Sequence, residues 1–207
     1  MKLITYYTSS HKILLDDFFT PSIKNTDNFE LIPLEGQQIS VNGNYFSKGF
    51  NETTKNKIEF LLSVLLNSEK DEFVLFSDVD VIFLNPIRGY LEKYFDFDIT
   101  FQQAHYGLNT GFFLIKNTNT NVELLEEVIE KCHLYPNDQD SLNDIIKTKK
   151  INYTTFDDKI LSPATIIGPK IWNGENLTIP NESLVFHACW CVGVDNKIKL
   201  LKHVRGY

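Results

Sequence analysis

Apolar positions along the chain follow two patterns, one typical of strands and one typical of helices. Short β-rich or unbroken apolar runs predict strands over residues 2–8, 29–34, 73–76, 98–103, 110–115 and 184–190. Apolar residues spaced three and four apart predict helices over residues 11–19, 54–66, 121–133 and 138–147. Residues 36–54 show little periodicity and predict a functional or mobile loop. Strands and helices that alternate in this way predict an α/β fold.

The clearest strand signal is the unbroken apolar run FVLF at residues 73–76. Such a run is typical of a central strand that is buried on both faces of a largely parallel sheet. The polar segment SDVD follows at once, at residues 77–80, and the dipeptide Asn85-Pro86 breaks the pattern further on. Polar residues at the carboxyl end of such a strand lie where open α/β sheets bind their ligands.

Two carboxylates, Asp78 and Asp80, stand two positions apart in this polar segment. If the backbone stays extended, both side chains point to the same side of the strand. Two carboxylates that close repel each other, and a bound divalent cation removes that cost. Hard oxygen ligands of this kind suit Mg²⁺ or Mn²⁺. The plainer interpretation is a pair of surface turn acids that cap the next element, and in both cases we expect exposed side chains that contribute little packing.

Length and composition are those of one soluble α/β domain. The chain has 207 residues, of which 43% are hydrophobic and 23% are charged. The formal net charge of −7, without a long basic run, argues against a nucleic-acid partner, because binding a phosphate backbone needs clustered Lys and Arg. An anionic substrate would therefore be met locally, by a metal, a lysine or a helix N-terminus.

The location of the protein is predicted from three sequence features. The first seventeen residues hold too short an apolar run for a signal peptide. The sequence has no stretch that approaches the 18 apolar residues of a membrane-spanning helix, so we expect no membrane span. Three cysteines, an odd number, fit a reducing compartment better than a disulfide scaffold. We therefore expect a cytoplasmic protein.

The segment FVLFSDVDVIFLNP, at residues 73–86, resembles the D-x-D segment of nucleotide-diphospho-sugar transferases with the GT-A fold. Three further segments match that family in the expected order. They are LNTGFFLI at residues 108–115, NDQDSLN at residues 137–143, and VFHACW at residues 185–190 followed by Lys197. One such motif is a weak signal, whereas four in order are fairly specific, and the resemblance extends over roughly residues 2–200.

This resemblance implies a fold and an activity. The fold would be a single GT-A-like domain over residues 1–207, with a Rossmann-like, mostly parallel central sheet flanked by helices. Its nucleotide-binding part would cover about residues 1–105, and about residues 106–207 would meet the acceptor and complete the metal site. The activity would be a metal-dependent glycosyltransferase that moves a sugar from a nucleoside-diphosphate sugar, with a UDP-sugar favoured, to a glycan, a glycoprotein or another hydroxyl acceptor.

The resemblance also implies roles for the metal and donor residues. Asp80 and His187 would bind Mn²⁺ or Mg²⁺, with Asp78 on the metal or on the nucleotide ribose. The residues that would contact the nucleotide and its diphosphate are Tyr6 and Thr8 beside the base and ribose, Lys57 near the nucleotide, and Lys197 at the diphosphate. Lys197 stands ten residues after His187, which departs from the His-x-x-Gly-x-x-Lys segment of some relatives. Plain strand residues and an exposed helix cation are the alternatives for Tyr6, Thr8 and Lys57.

A third group would face the transferred sugar. Asn109 and Gly111 would border it, while Asp138 and Gln139 would face its hydroxyls and its anomeric carbon. The alternatives are an ordinary turn at residues 109–111 and a helix N-cap at Asp138. An inverting enzyme would use Asp138 as the base, with Asp140 behind it, whereas a retaining enzyme would place Gln139 beside the anomeric carbon.

Three other functions compete with the transferase. Haloacid-dehalogenase-like phosphohydrolases also carry a D-x-D motif, in which the first Asp is the nucleophile, but the later acidic pair they need is not found in a suitable context. A zinc module would use His187, Cys189 and Cys191 with Cys132 and His133, although the paired C-x₂-C spacing is lacking. A non-catalytic nucleotide-sugar-binding protein on the same fold is the third, because a fold does not imply an activity.

Overall fold

The structure, a computed structural model, describes residues 1–40 and 47–206. Its strands are β1 Lys2–Thr8, β2 Glu30–Gly36, β3 Phe73–Ser77, β4 Val81–Phe83, β5 Ile99–Ala104, β6 Gly107–Lys116, β7 Tyr153–Thr155, β8 Ile160–Leu161 and β9 Val185–His187. Its α-helices are α1 Lys12–Leu14, α2 Thr20–Ser22, α3 Phe50–Leu66, α4 Arg88–Leu91, α5 Asn119–Lys131, α6 Asp138–Ile145, α7 Pro163–Ile167 and α8 Val194–Arg205.

The central sheet has six strands in the order β2-β1-β3-β6-β5-β7. Strand β1 runs parallel to both β2 and β3, and β7 runs parallel to β5. Strand β6 is antiparallel to its neighbours β3 and β5. The prediction of a single α/β domain with a mostly parallel central sheet flanked by helices is confirmed.

Strand β3 lies at the centre of this sheet, as its apolar run predicts. Residues 74–77 are buried, and two apolar clusters cover the sheet. Leu75 belongs to one cluster and Val74 to the other, because alternate side chains of a strand point to opposite faces. Burial on both faces fixes the carboxyl end of β3, and with it the position of Asp78.

Helix α3 begins at Phe50, four residues before the start that its apolar stripe predicts. The reason is a tertiary contact, because the side chain of Asn51 donates hydrogen bonds to the carbonyls of Cys132 and Tyr135. These bonds hold the first turn of α3 against the end of α5. Residues 41–46 of the predicted 36–54 loop lie outside the described residues.

Two other helices differ from their predicted form. The predicted helix 11–19 consists of α1 and a π-helical turn over Leu15–Phe19, and α2 continues beyond its predicted end. Helix α6 begins at Asp138 as predicted, but its N-cap is Asn137, whose side chain accepts a hydrogen bond from the backbone N–H of Asp140. The N-cap alternative for Asp138 is therefore wrong, and its carboxylate does not cap the helix.

A second sheet of three short strands, in the order β4-β9-β8, lies beyond the end of β3. The predicted strand 184–190 is confirmed only over Val185–His187. Strand β9 runs antiparallel to β4 and pairs His187 with Val81, while the N–H of Ala188 donates to the carbonyl of Asp80. This pairing brings His187 beside the two aspartates. In the described part of the chain, no helix is both long and apolar enough to cross a membrane.

Candidate active site

The two aspartates reach one point by a turn of the chain. The N–H of Asp78 donates to the carbonyl of Gly111 on β6, which continues the sheet one residue past β3. The chain then turns at Val79 and Asp80 before it enters β4. The condition of an extended backbone through both aspartates is therefore not met. Carboxylate oxygens of Asp78 and Asp80 and a ring nitrogen of His187 nevertheless lie within 4.8 Å of one another.

Asp80 lies in a strongly positive environment. Its Oδ2 is 2.6 Å from Nζ of Lys197, and its Oδ1 is 3.3 Å from Nε2 of His187. Burial alone would raise the pKa of Asp80, but Lys197 and His187 lower it well below its usual range. The expectation of an exposed ligand is wrong for Asp80, which is only 4% exposed. The carboxylate is therefore ionised and held in place from two sides.

Lys197 reaches Asp80 from the first turn of α8. The segment of residues 188–193 leaves β9, and Gly193 precedes the helix with a φ of 87°, a value that favours glycine. This return of the chain explains why Lys197 stands ten residues after His187 in the sequence. Burial alone would lower the pKa of Lys197, and Asp80 raises it above its usual value.

His187 is oriented by Gln102, a residue that the sequence reasoning missed. The Nδ1 of His187 lies 2.7 Å from Oε1 of Gln102, whose Nε2 donates to the carbonyl of Leu161. Because the Gln102 amide donates through its nitrogen, its oxygen accepts a hydrogen bond from the Nδ1–H of His187, and Nε2 of His187 is left facing Asp80. A histidine ligand is commonly oriented by such a bond on its far nitrogen. The sequence feature that could have indicated Gln102 is a polar residue at the end of the strand segment ITFQ, at residues 99–102.

We expect the substitution Gln102→Leu to weaken Mn²⁺ binding by about 10-fold to 100-fold, because His187 loses the partner that orients it. Mn²⁺ affinity in the presence of UDP, measured by calorimetry, tests this. The variant Gln102→Glu keeps an acceptor for Nδ1 and should retain most of the affinity. A Leu variant with wild-type Mn²⁺ affinity would show that His187 needs no such partner.

A second ion pair links the strand end to α6. Nζ of Lys57, on α3, lies 2.7 Å from Oδ2 of Asp138 and 3.7 Å from Oδ1 of Asp78, and it donates to the carbonyl of Thr110. Burial alone would lower the pKa of Lys57, but the two carboxylates raise it. Removal from water raises the pKa of Asp78, Lys57 opposes this rise, and Asp80 adds to it. Lys57 is therefore the counter-charge that allows the buried Asp138 and the partly buried Asp78 to lie close together.

We expect Lys57→Met to lower the free energy of unfolding by about 3–5 kcal/mol, because it leaves the buried Asp138 without its ionic partner. The control is Lys55→Met on the same helix, which removes a partly exposed pair with Glu59 at 3.4 Å and should cost about 1 kcal/mol or less. Urea unfolding of the two variants gives the comparison. Equal losses in the two variants would contradict the buried-pair interpretation.

Gly111 makes the close approach of the ligands possible. Its N–H donates to Oδ1 of Asn109 at 2.7 Å. A Cβ atom at this position would lie 2.5 Å from Cε1 of His187 and 2.6 Å from Oδ2 of Asp78. Real Cβ atoms are not found this close to other heavy atoms, so any larger residue here would push the ligands apart.

The eleven residues that the resemblance assigns to the metal, the nucleotide and the transferred sugar all line one cavity of about 470 Å³. They are Tyr6, Thr8, Lys57, Asp78, Asp80, Asn109, Gly111, Asp138, Gln139, His187 and Lys197. Tyr6 and Thr8 lie on β1 at one side, and Asp138 and Gln139 begin α6. The cavity also contains residues that the sequence gave no reason to select, among them His11, whose pKa burial and Lys197 lower to about 4.

The donor set fits a hard divalent cation. Two carboxylates and one imidazole are suitable ligands for Mn²⁺ or Mg²⁺. Within residues 1–40 and 47–206, Asp78, Asp80 and His187 are the one group of three or more such side chains with ligand atoms close enough to hold an ion. The cysteine–histidine set that a zinc module requires does not form such a group in the described chain.

Fold and site together define a GT-A glycosyltransferase, and the Asp78-x-Asp80 motif fits that class. The model of the family described as nucleotide-diphospho-sugar transferase matches residues 16–201, so the chain belongs to this family. A comparison with curated proteins finds no match.

Solved structures of glycosyltransferases share the fold at low sequence identity. A glycosyltransferase involved in the glycosylation of the major capsid of PBCV-1 matches with a TM-score of 0.65 and 11% identity, over 100% of this chain and 98% of its own. The galactosyltransferase LgtC, in complex with donor and acceptor sugar analogs, matches with a TM-score of 0.56 and 11% identity, over 91% of this chain and 87% of its own. Mouse xyloside xylosyltransferase 1 matches with a TM-score of 0.56 and 10% identity, over 91% of this chain and 98% of its own.

Proposed function

We propose that this glycosyltransferase moves a sugar from a UDP-sugar to a hydroxyl of a glycan or glycoprotein, with Mn²⁺ or Mg²⁺ held by Asp78, Asp80 and His187. The observation that carries the proposal is the convergence of these three side chains, within 4.8 Å, in a cavity that Lys197 also lines. Loss of a nucleoside diphosphate from the donor builds negative charge on the leaving phosphate, and a bound divalent cation stabilises that charge as a Lewis acid.

Residues of the chain itself bind the donor in this proposal. Tyr6 and Thr8 flank the base and ribose, and the ammonium of Lys197 adds positive charge at the diphosphate. A charge that is already in place before the reaction stabilises the transition state without reorganisation. Lys57, expected near the nucleotide, acts there through the carboxylates of Asp78 and Asp138 that it contacts.

The donor sugar lies between the metal ligands and the start of α6 in this proposal. Asn109 and Gly111 border the sugar, and Asp138 and Gln139 face its hydroxyls and its anomeric carbon. Asp138 is 3% exposed and paired with Lys57, so its carboxylate is held in one orientation. The proposed division of labour is a nucleotide part over about residues 1–105 and an acceptor and metal-completing part over about residues 106–207.

The first experiment is thermal unfolding with UDP, GDP, CDP and ADP, each with and without Mn²⁺. A nucleotide at a hundred times its dissociation constant stabilises by about 2.7 kcal/mol. We expect UDP to stand out, and only when Mn²⁺ is present. Stabilisation by no nucleotide would overturn the proposed donor site.

Release of UDP from UDP-glucose and UDP-galactose then separates an enzyme from a non-catalytic binding protein. Binding without any release, in the presence of Mn²⁺ and sugar acceptors, would favour the binding protein.

The prediction of a cytoplasmic location belongs with this proposal, and it is supported by three cysteines that form no disulfide, Cys132, Cys189 and Cys191.

A further inference from the structure

Three aromatic rings stand together at the mouth of the cavity. The ring centroids of His105 and Tyr106 are 4.4 Å apart, and each of these rings lies 6.5 Å from that of Trp190. Tyr106 is 78% exposed, and His105 is also exposed. We call these three residues the aromatic platform. All three line the cavity that holds the metal ligands.

The platform lies across the metal ligands from the proposed nucleotide site. His105 and Tyr106 form the tip of the β5–β6 hairpin, and β6 runs from Gly107 past Gly111, where the sheet meets Asp78. At about 3.4 Å per residue, the hairpin extends roughly 14 Å beyond this point. In the sheet order, β3 lies between β1, which carries Tyr6, and β6, which leads to the platform.

The backbone of Trp190 is held in an unfavourable conformation. Its φ of 60° lies in the left-handed region, which costs a residue other than glycine about 1 kcal/mol or more. The carbonyl of Trp190 accepts a hydrogen bond from the N–H of Trp172, a buried residue of the core. The core thus fixes a strained residue whose ring faces the cavity, and strain of this kind is typical of functional sites.

Further apolar and polar groups complete the surroundings of the platform. Ile171 and Val192, which are 51% and 42% exposed, line the same cavity. Isolated exposed apolar residues are ordinary, whereas a group around one cavity indicates a bound partner. Asp140 also lines the cavity and offers carboxylate oxygens that can accept hydrogen bonds from hydroxyls. This mixture of aromatic faces and polar side chains suits a ring that is apolar on one face and hydroxylated at its edge.

We propose that the aromatic platform binds a pyranose ring of the acceptor, so that the acceptor is a saccharide recognised by its apolar C–H face. This inference rests on the proposed function, because it identifies the class of the second substrate. Aromatic side chains supply large, rigid contact areas with few rotatable bonds to order. A flexible peptide that presents one serine or threonine hydroxyl would not need the exposed rings of His105 and Tyr106 beside Trp190 at this distance from the metal ligands.

Sugar binding can be followed with the protein's own tryptophans. The chain has two, Trp172 and Trp190, so the variant Trp172→Phe leaves Trp190 as the single tryptophan. We expect lactose and methyl β-galactopyranoside to shift the emission of this variant, and the additional change Tyr106→Ala to weaken the effect by about tenfold in sugar concentration. If none of lactose, cellobiose, maltose and their methyl monosaccharides shifts the emission, the proposal is wrong.

A kinetic comparison tests the platform in catalysis. For Tyr106→Ala we expect KM for the saccharide acceptor to rise about tenfold, with little change in donor hydrolysis or in UDP stabilisation with Mn²⁺. The control is Leu66→Ala, which removes a 62% exposed apolar side chain at the far end of α3 from the cavity. The proposal would be overturned if Tyr106→Ala raised KM for the donor, or if it left both the transfer rate and KM for the saccharide acceptor at their wild-type values.

The two proposals fail in different ways. The donor site would be refuted if the wild-type protein bound no nucleotide. The Trp190 emission of the Trp172→Phe variant would still test sugar binding in that case. The platform alone would be refuted if the wild-type protein hydrolyses UDP-sugars and the Tyr106→Ala variant transfers to sugar acceptors as well as the wild-type protein does. A nucleotide base stacked on the platform would instead appear as a shift of Trp190 emission by UDP that Tyr106→Ala abolishes.

Discussion

Replacement of Asp80 by asparagine should reduce release of UDP from a UDP-sugar by about 10²-fold to 10³-fold and remove the Mn²⁺-dependent part of UDP stabilisation. The amide has nearly the shape of the carboxylate, so its oxygen can still accept a hydrogen bond from Lys197, which lies 2.6 Å from Oδ2. What the variant loses is the negative charge that faces Lys197, His187 and the proposed cation. The measurement is donor turnover and thermal unfolding with UDP, each with and without Mn²⁺.

The folded state of this variant needs its own measurement. Asp80 is buried and ion-paired, so its loss costs stability as well as metal binding. Circular dichroism and urea unfolding at the assay temperature separate the two effects. The matched control is Asp158→Asn, which changes an exposed aspartate outside the cavity and should leave turnover unchanged. A folded Asp80→Asn protein with wild-type turnover would refute the metal assignment.

Replacement of Asp138 by asparagine should lower kcat by about 10²-fold while the dissociation constant of UDP changes by less than about threefold. In the proposed site, this carboxylate faces the transferred sugar rather than the nucleotide, so its loss acts on the transition state more than on binding. The amide also leaves Lys57 with Asp78 as its one carboxylate partner among the described residues. Steady-state kinetics and UDP calorimetry on the same preparation test the separation.

The control for this prediction lies on the same helix. Asp144 is exposed on α6, accepts a hydrogen bond from the hydroxyl of Tyr135, and does not line the cavity. Asp144→Asn should therefore keep both kcat and UDP affinity. A large loss of UDP affinity with normal kcat in Asp138→Asn would place Asp138 at the nucleotide and contradict the proposed orientation of the donor.

Local patterns predicted most of the elements and the metal pair. The unbroken run at 73–76 indicated a doubly buried strand, and the polar segment after it indicated a ligand site, because both features depend on neighbouring residues alone. The sequence left the N-cap alternative for Asp138 open, since Asn137 and Asp138 both suit that position and only the backbone conformation distinguishes them. Helix α3 began early because of Asn51, whose partners lie more than eighty residues away.

Contacts over long sequence distances decided the electrostatics of the site. Lys57 matched a family position, but the sequence held no sign that it would neutralise Asp78 and Asp138. Gln102 lies 85 positions from the histidine that it orients. Of the three-stranded sheet that presents His187, only β9 was predicted, since β4 and β8 have three and two residues and are too short to give a periodic signal.

The sequence by itself determined the α/β class, the central strand and the carboxylate pair Asp78 and Asp80, while the other candidate site residues came from the family resemblance. It could do so because burial of a strand and the ligand preferences of a cation are properties of residue types in local order. Only the tertiary structure decided which charges neutralise one another and which rings meet at the cavity mouth. Those pairings, such as Lys197 with Asp80 and Tyr106 with Trp190, depend on how distant segments return to the end of β3, and local residue patterns do not encode that path.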